Sequence, residues 1–183
     1  METILKKSQP DSVMVAIVSD THCDLDKRII DLIRQADIAV HAGDIGDISV
    51  LDAMQPKSGR VIAVTGNNDH PVLWPAQQGE RLESIPEIAE IELPGGLLAV
   101  EHGDRHGQHA PDHQLLRNTH PGARVIVYGH THRMLVDDSH EPWVVNPGAA
   151  GKTRTRGGAS CLLLDASSQG WKIEQRRFLD PDS

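Results

Sequence analysis

Three short apolar runs, residues 13–18, 38–41 and 60–65, are separated by two stretches of helical character in the first third of the chain. The runs are almost continuously apolar rather than alternating, as in strands buried on both faces. Between the first two, Leu25, Ile29, Leu32, Ile33 and Ala36 fall on one face of a helix. Asp24 is placed to cap that helix and Asp26 to complement its dipole. A weaker helix near 48–54 precedes the third run. This β-α-β-α-β order demands right-handed crossovers and a largely parallel sheet covered by helices.

The pattern changes after residue 70. Residues 71–87, rich in Pro, Gln and Glu, read as an irregular loop or a short helix. Residues 88–93 alternate apolar and acidic positions, and Pro94-Gly95-Gly96 leads into 97–100, which predicts a β-hairpin. A polar loop and a short helix near 112–118 precede a buried strand at 124–128. Further strands are expected at 134–136, 143–145 and 161–164, with a weaker one at 171–173. No repeat or linker interrupts this series, so a single domain over 13–179 follows a polar, loose tail at 1–12.

That tail lacks the apolar centre of a secretory signal, and no run approaches the roughly 20 residues of a membrane-spanning helix. A cytoplasmic protein is the expectation. The formal net charge of −8 argues against broad capture of nucleic acid or of an anionic membrane, so no stable nucleic-acid complex and no membrane partner are expected. Two cysteines, Cys23 and Cys161, are too few and too distant for a disulfide framework or a thiolate zinc motif.

Chemistry concentrates at the ends of the apolar runs. Asp20 and His22 lie in "AIVSDTH", Asp44 in "VHAGD", Asn67 in "VTGNND", His102 in "AVEHG", and His130 and His132 in "VYGHTH". In an α/β sheet, groups just beyond the carboxyl ends of strands gather on one rim. Taken singly, an Asp after a strand is a common cap and a loop His a common surface residue. Together these residues make a set of oxygen and imidazole donors without thiolate, which suits Mn, Fe, Zn or Mg. The set is larger than one tetrahedral ion needs, so it points to two ions. Pairs such as Asp20 and His22, or His130 and His132, separated by one residue, can face the same way in extended backbone. Asp44, with two oxygens, could bridge. Gly43, Gly66, Gly103 and Gly129 allow tight turns beside the ligands and close approach by substrate.

The ordered series D-x-H, GD, GN-x-D, H-G, GHTH, followed by Asn146-Pro147-Gly148, resembles the calcineurin-like metallophosphoesterase superfamily, in particular its small bacterial and archaeal phosphodiesterases. The resemblance runs from residue 13 to about 161. It implies two packed mixed β-sheets flanked by helices, an αββα sandwich of the α/β class. It also implies a hydrolase of phosphate esters, most readily a phosphodiesterase, with a metal-bridging hydroxide as nucleophile. Asp20, His22 and His132 would hold one ion, Asn67, His102 and His130 the other, and Asp44 would bridge them. Asp20, Asp44 and Asn67 are also the catalytic candidates. Manganese is the ion most associated with such proteins, and Fe, Zn or Ni would be accepted. The implied partner is a small phosphate-ester substrate, and a homodimer is compatible with the family. The alternative is a protein-binding scaffold of the same fold, like the retromer subunit, for which loss of ligands would argue.

Several positions depart from the superfamily pattern. Larger members carry GNHD or GNHE, whose His helps to protonate the leaving group, whereas this chain has Gly66-Asn67-Asn68-Asp69. Asn68 cannot act as that acid. His106 is a candidate substitute or a solvated loop residue. Asp104 stands where small members have the second His of "HGH", as an outer partner of a ligand or a solvent-facing residue. Lys152, Arg154 and Arg156 could hold a second phosphate or be incidental loop charge.

Overall fold

The computed structural model describes residues 11–107 and 109–179. Ten strands form two mixed five-stranded sheets. The first contains β1 (Ser12–Val18), β2 (Ile38–Ala42), β3 (Arg60–Val64), β9 (Ala159–Ser167) and β10 (Gly170–Phe178), in the order β10-β9-β1-β2-β3. Here β1 to β3 run parallel, whereas β9 pairs antiparallel with β1 and β10 with β9. The second contains β4 (Ile88–Leu93), β5 (Gly96–Glu101), β6 (Val125–Val127), β7 (Leu135–Asp137) and β8 (Trp143–Asn146), in the order β4-β5-β6-β8-β7.

Three apolar layers explain the sandwich. Val13, Val15 and Ile17 of β1 point into a core shared with Ile91, Leu98, Val100, Val127 and Val145 of the second sheet. Ala16 and Val18, one residue out of phase, face Ile29 and Ile33 of helix α1 (Lys27–Ile33). On the far side of the second sheet, Ala99, Ile126 and Val144 pack with Leu116 of helix α4 (His113–Thr119). Both faces of both sheets are therefore covered, which is why β1, β2 and β6 read as continuous apolar runs. Helices α2 (Ile48–Ala53) and α3 (Gly79–Glu83) lie on the α1 side, with Val50 and Leu82 buried.

The first helix differs from expectation. It begins at Lys27, and its N-cap is Asp26, whose carboxylate accepts from the Arg28 amide at 2.8 Å, rather than Asp24. Leu25 precedes the helix and is buried. Burying a side chain such as Ile29 or Ile33 is worth about 1.5–3 kcal/mol, against about 1 kcal/mol for a cap, so packing sets the helix position and whichever Asp meets a free amide becomes the cap. The hairpin forms as expected, with Gly95 at φ +89° in its two-residue turn. β10, expected as a weak strand over 171–173, runs nine residues, because every position pairs with β9. β1 starts at Ser12, so one residue of the expected tail is in the sheet, and residues 1–10 lie outside the described residues. Among the described residues no helix is long and apolar enough to cross a membrane.

Candidate metal centre

Asp20 and Asp44 follow the parallel strands β1 and β2, and their loops are zipped together. The Asp20 amide donates to the Gly43 carbonyl and the His22 amide to the Asp44 carbonyl, each at 3.0 Å. His41, fully buried, accepts from the Gly43 amide through Nδ1 and therefore carries its proton on Nε2, which donates to Thr21 Oγ1 at 2.9 Å. Burial pushes the His41 pKa down to about 3, so the ring is neutral. Asp69 performs a similar service between the second and third loops. Its carboxylate accepts from the amides of Ile45, Gly46 and Gly66 and from the indole N–H of Trp74. Asn146 ties in the loop after β6 by donating to the Gly129 carbonyl.

Five of the candidate ligands have positive φ: Asp20, His22, Asp44, His130 and His132, at 46° to 66°. A left-handed conformation at a non-glycine residue costs on the order of 1 kcal/mol, and such strain concentrates at functional sites. The neighbouring glycines are required by the closeness of the loops. A Cβ on Gly66 would lie 2.4 Å from the Asp44 carboxylate, and one on Gly129 would lie 1.9 Å from Ser19 Oγ.

The result is a tight cluster. Ligand atoms of Asp20, His22, Asp44 and His132 all lie within 4.8 Å of one another. His22 Nε2 and His132 Nε2 are 3.2 Å apart, and His132 Nε2 is 3.3 Å from Asp20 Oδ1. The carboxylate of Asp44 faces both ways: Oδ2 is 3.7 Å from His22 Nε2, and Oδ1 is 3.4 Å from His102 Nε2. On the second side the gathering is looser. The His102 and His130 rings meet edge to face at 5.4 Å, and His130 Nδ1 is 3.0 Å from Asn67 Oδ1.

Unsatisfied atoms show what this cluster fits. Both carboxylate oxygens of Asp20 are buried without a hydrogen-bond partner, as is His102 Nε2. Leaving such groups unpaired costs about 1–3 kcal/mol each, more for a charge. Divalent cations on the two sides of Asp44 would satisfy all of them. The ring tautomers suit it as well: His102 Nδ1–H donates to the Ala42 carbonyl at 2.8 Å and His132 Nδ1–H to the Thr153 carbonyl at 2.9 Å. Both rings thus present Nε2 inward, as metal-bound imidazoles held by an outer acceptor do.

The electrostatics of the cluster follow from burial and from the pairing of Asp44 with its neighbours. Burial raises the Asp20 pKa to about 7. Burial favours neutral His102, but attraction to Asp44 and the hydrogen bond to the Ala42 carbonyl outweigh it and hold that ring near 9. Asp44, although burial opposes its ionisation, is kept well below the usual carboxylate range by His102 and by two hydrogen bonds from Asn68. His132 is pushed down to about 4 by burial. A metal must displace the protons on Asp20 and His102, so its apparent affinity is expected to rise at least about tenfold per pH unit from pH 5 to 7. Isothermal titration of the metal-free chain across that range checks this, and a pH-independent affinity contradicts it.

Asn68 is committed to Asp44: its amide donates to Oδ1 at 2.9 Å and its Nδ2 to Oδ2 at 2.7 Å. His106, expected as a solvated loop residue or a spare acid, is neither free nor solvated. Its Nε2 lies 2.9 Å from Glu101 Oε2, and His120 Nε2 lies 2.8 Å from Oε1 of the same buried carboxylate. Asp104 lines a cavity beside Asn67 and His102. Arg154 Nη2 donates to His132 Nε2 at 2.9 Å. His41 and Asp69 were legible only as neighbours of ligands, because their roles depend on which loops pack together.

The fold thus gathers, at the carboxyl ends of its strands, a cluster of carboxylates and imidazoles that could hold a metal ion. The chain belongs to the calcineurin-like phosphoesterase superfamily, whose domain model matches residues 13–169. It is 30% identical over 144 residues to a probable metallophosphoesterase of Methanocaldococcus jannaschii, covering 75% of this chain and 68% of that protein. A phosphodiesterase of the same organism is 27% identical over 147 residues, covering 73% of this chain and 82% of the relative. The solved structure of vacuolar protein sorting 29 from Cryptosporidium parvum superposes with a TM-score of 0.71 at 16% identity, covering 93% of this chain and 100% of that one, a likeness of fold alone. The family binds divalent metals and acts on phosphoesters.

Proposed function

We propose that this chain is a dinuclear-metal-dependent phosphodiesterase. The observation that carries the reading is the two-faced Asp44 carboxylate, with His22 on one side and His102 on the other. Asp20, His22 and His132 would hold one ion, Asn67, His102 and His130 the other, and Asp44 would bridge them. When bound, the ions supply a nucleophilic hydroxide at neutral pH and neutralise charge on the phosphate. Manganese suits the mixed set of carboxylate, amide and imidazole donors; Fe, Zn and Ni remain chemically compatible. The chain's own residues do the positioning. His102 and His132 are fixed by the carbonyls behind them, Asp44 is oriented by Asn68, and the loops are clamped by Asp69 and His41. Among relatives, the phosphodiesterase of Methanocaldococcus jannaschii supports a diester substrate.

The scaffold reading draws on the likeness to vacuolar protein sorting 29. The strained backbone and the unpartnered buried atoms of Asp20 and His102 support a metal site, and the similarity to a phosphodiesterase supports the enzyme. The metal-reconstituted chain should hydrolyse bis(p-nitrophenyl) phosphate faster than p-nitrophenyl phosphate. Failure to turn over the diester with Mn²⁺, Fe²⁺, Zn²⁺ or Ni²⁺ would sink the proposal.

Leaving-group preference gives a second test. Position 68 is an amide that touches the bridging carboxylate and supplies no proton, so esters of acidic phenols should be cleaved far faster than alkyl esters. General-acid assistance of about 10²–10⁴-fold is at stake. Asn68→His should raise kcat/KM for an alkyl ester relative to a nitrophenyl ester. An unchanged ratio in a variant with full metal content would show that another acid serves.

A further inference from the structure

A second cavity of about 400 Å³ opens at the candidate centre, lined by Asp44, Asn67 and His130 together with Arg133, Arg154 and Arg156. Such local basicity is unexpected in a chain of net charge −8. Among the described residues none of these guanidiniums is paired with a carboxylate, and Arg154 Nη2 donates a hydrogen bond to His132 Nε2. Several other arginines are paired with carboxylates, as in Arg81 with Asp52, Arg105 with Glu87 and Arg117 with Asp137, whereas Arg124 and Arg177 donate to backbone carbonyls.

The loop that carries two of the arginines is built rather than slack. Its Thr153 carbonyl is held by His132, and its Thr155 and Arg156 carbonyls accept from Arg177. Arg154 and Arg156 have φ of +50° and +52°, a costly conformation for long side chains, and Gly157 and Gly158 follow with positive φ. Strain of this kind persists where the surroundings fix it, typically around ligand clamps. Arg154 already reaches the imidazole nitrogen that faces the candidate ions. Metal on His132 Nε2 would take that acceptor and leave the guanidinium to an anionic oxygen. Arg133 and Arg156 lie in the same cavity, which is roomier than one phosphate requires.

Resting on the phosphodiesterase reading above, we propose that Arg133, Arg154 and Arg156 form an anion subsite that takes a second phosphate of the substrate, next to the ester that is cleaved. Guanidinium forks match phosphate oxygens two at a time, and several forks around one cavity favour a dianionic phosphate over a single carboxylate. The substrate class is then a phosphodiester bearing an additional phosphate monoester, for which a nucleoside bisphosphate serves as the probe, rather than a simple dialkyl phosphate.

The test compares thymidine 3′,5′-bisphosphate with thymidine 5′-monophosphate by isothermal titration into the full Mn²⁺-loaded chain, for the wild type and R133A/R156A. The wild type should bind the bisphosphate at least about tenfold more tightly, a preference that weakens as salt rises. The double variant should lose most of that preference, and R133K/R156K should keep part of it, which separates charge from folding. Equal binding of the two nucleotides by the wild type, or a preference that survives in R133A/R156A, overturns the subsite. Turnover of the p-nitrophenyl 5′-esters of the two nucleotides by the Mn²⁺-loaded chain separates the two readings. Hydrolysis of both esters without preference removes the subsite and leaves the enzyme. An intact binding preference without hydrolysis supports the subsite and removes the phosphodiesterase.

Discussion

Asp44→Ala is expected to abolish phosphodiester hydrolysis, lowering kcat/KM by at least about 10³-fold, and to release at least one metal ion per chain. The expectation comes from the orientation of the side chain. Each oxygen faces a different imidazole, so truncation withdraws a donor from both halves of the centre at once. It also leaves His102 Nε2 without its nearest anion and frees the Asn68 amide and side chain, which now fix the carboxylate. The second half has the weaker claim on its ion, since Asn67, His102 and His130 supply one neutral oxygen and two imidazoles, and it should empty first. Elemental analysis beside steady-state kinetics decides the matter, with circular dichroism to verify folding. Asp44→Asn keeps the shape while removing the charge, and should fall between the two. Full metal content in a folded Asp44→Ala variant would refute the bridging assignment.

Metal removal should have an effect of similar size. Chelation is expected to reduce diester turnover to background, and Mn²⁺ should restore it at least about tenfold better than Mg²⁺ at equal concentration. The reason is the donor set. His22, His102, His130 and His132 offer four imidazoles, and Mg²⁺ prefers an octahedral shell of oxygens and dehydrates reluctantly. The measurement is kcat/KM for a chromogenic diester after dialysis against chelator, then across a metal series. Undiminished turnover in excess chelator, with metal loss verified, would falsify the metal-dependent mechanism.

Much of this site could be read before any coordinates existed, for a physical reason. A ligand that follows a buried strand is placed by the strand, and buried strands are visible as continuous apolar runs. Asp20 after β1, Asp44 after β2 and His102 after β5 follow directly from that logic. The αββα layering was harder to derive, because a β-α-β-α-β start predicts only a parallel sheet. That β9 returns antiparallel beside β1 is a long-range pairing that no local pattern announces. The cap of α1 moved from Asp24 to Asp26 because the burial of Ile29 and Ile33 sets the helix register. His106 looked like a loop residue and proved to be bound to Glu101, a carboxylate buried between His106 and His120. The roles of Asp69, His41 and Arg154 likewise depend on loop against loop, which sequence spacing does not encode. Arg154 was one of a basic trio with Lys152 and Arg156. The structure separates them: Lys152 pairs with Asp24 on another face, while the two arginines turn to the cavity.

The central claim is that Asp44 joins two ions in one centre, and anomalous diffraction from crystals of the Mn²⁺-reconstituted chain tests it most directly. The account predicts two manganese peaks about 3.5–4 Å apart, with Asp44 between them. Asp20, His22 and His132 should contact one, and Asn67, His102 and His130 the other. A single peak within the Asp20, His22, Asp44 and His132 cluster, in crystals whose dissolved protein still hydrolyses the diester, would contradict it.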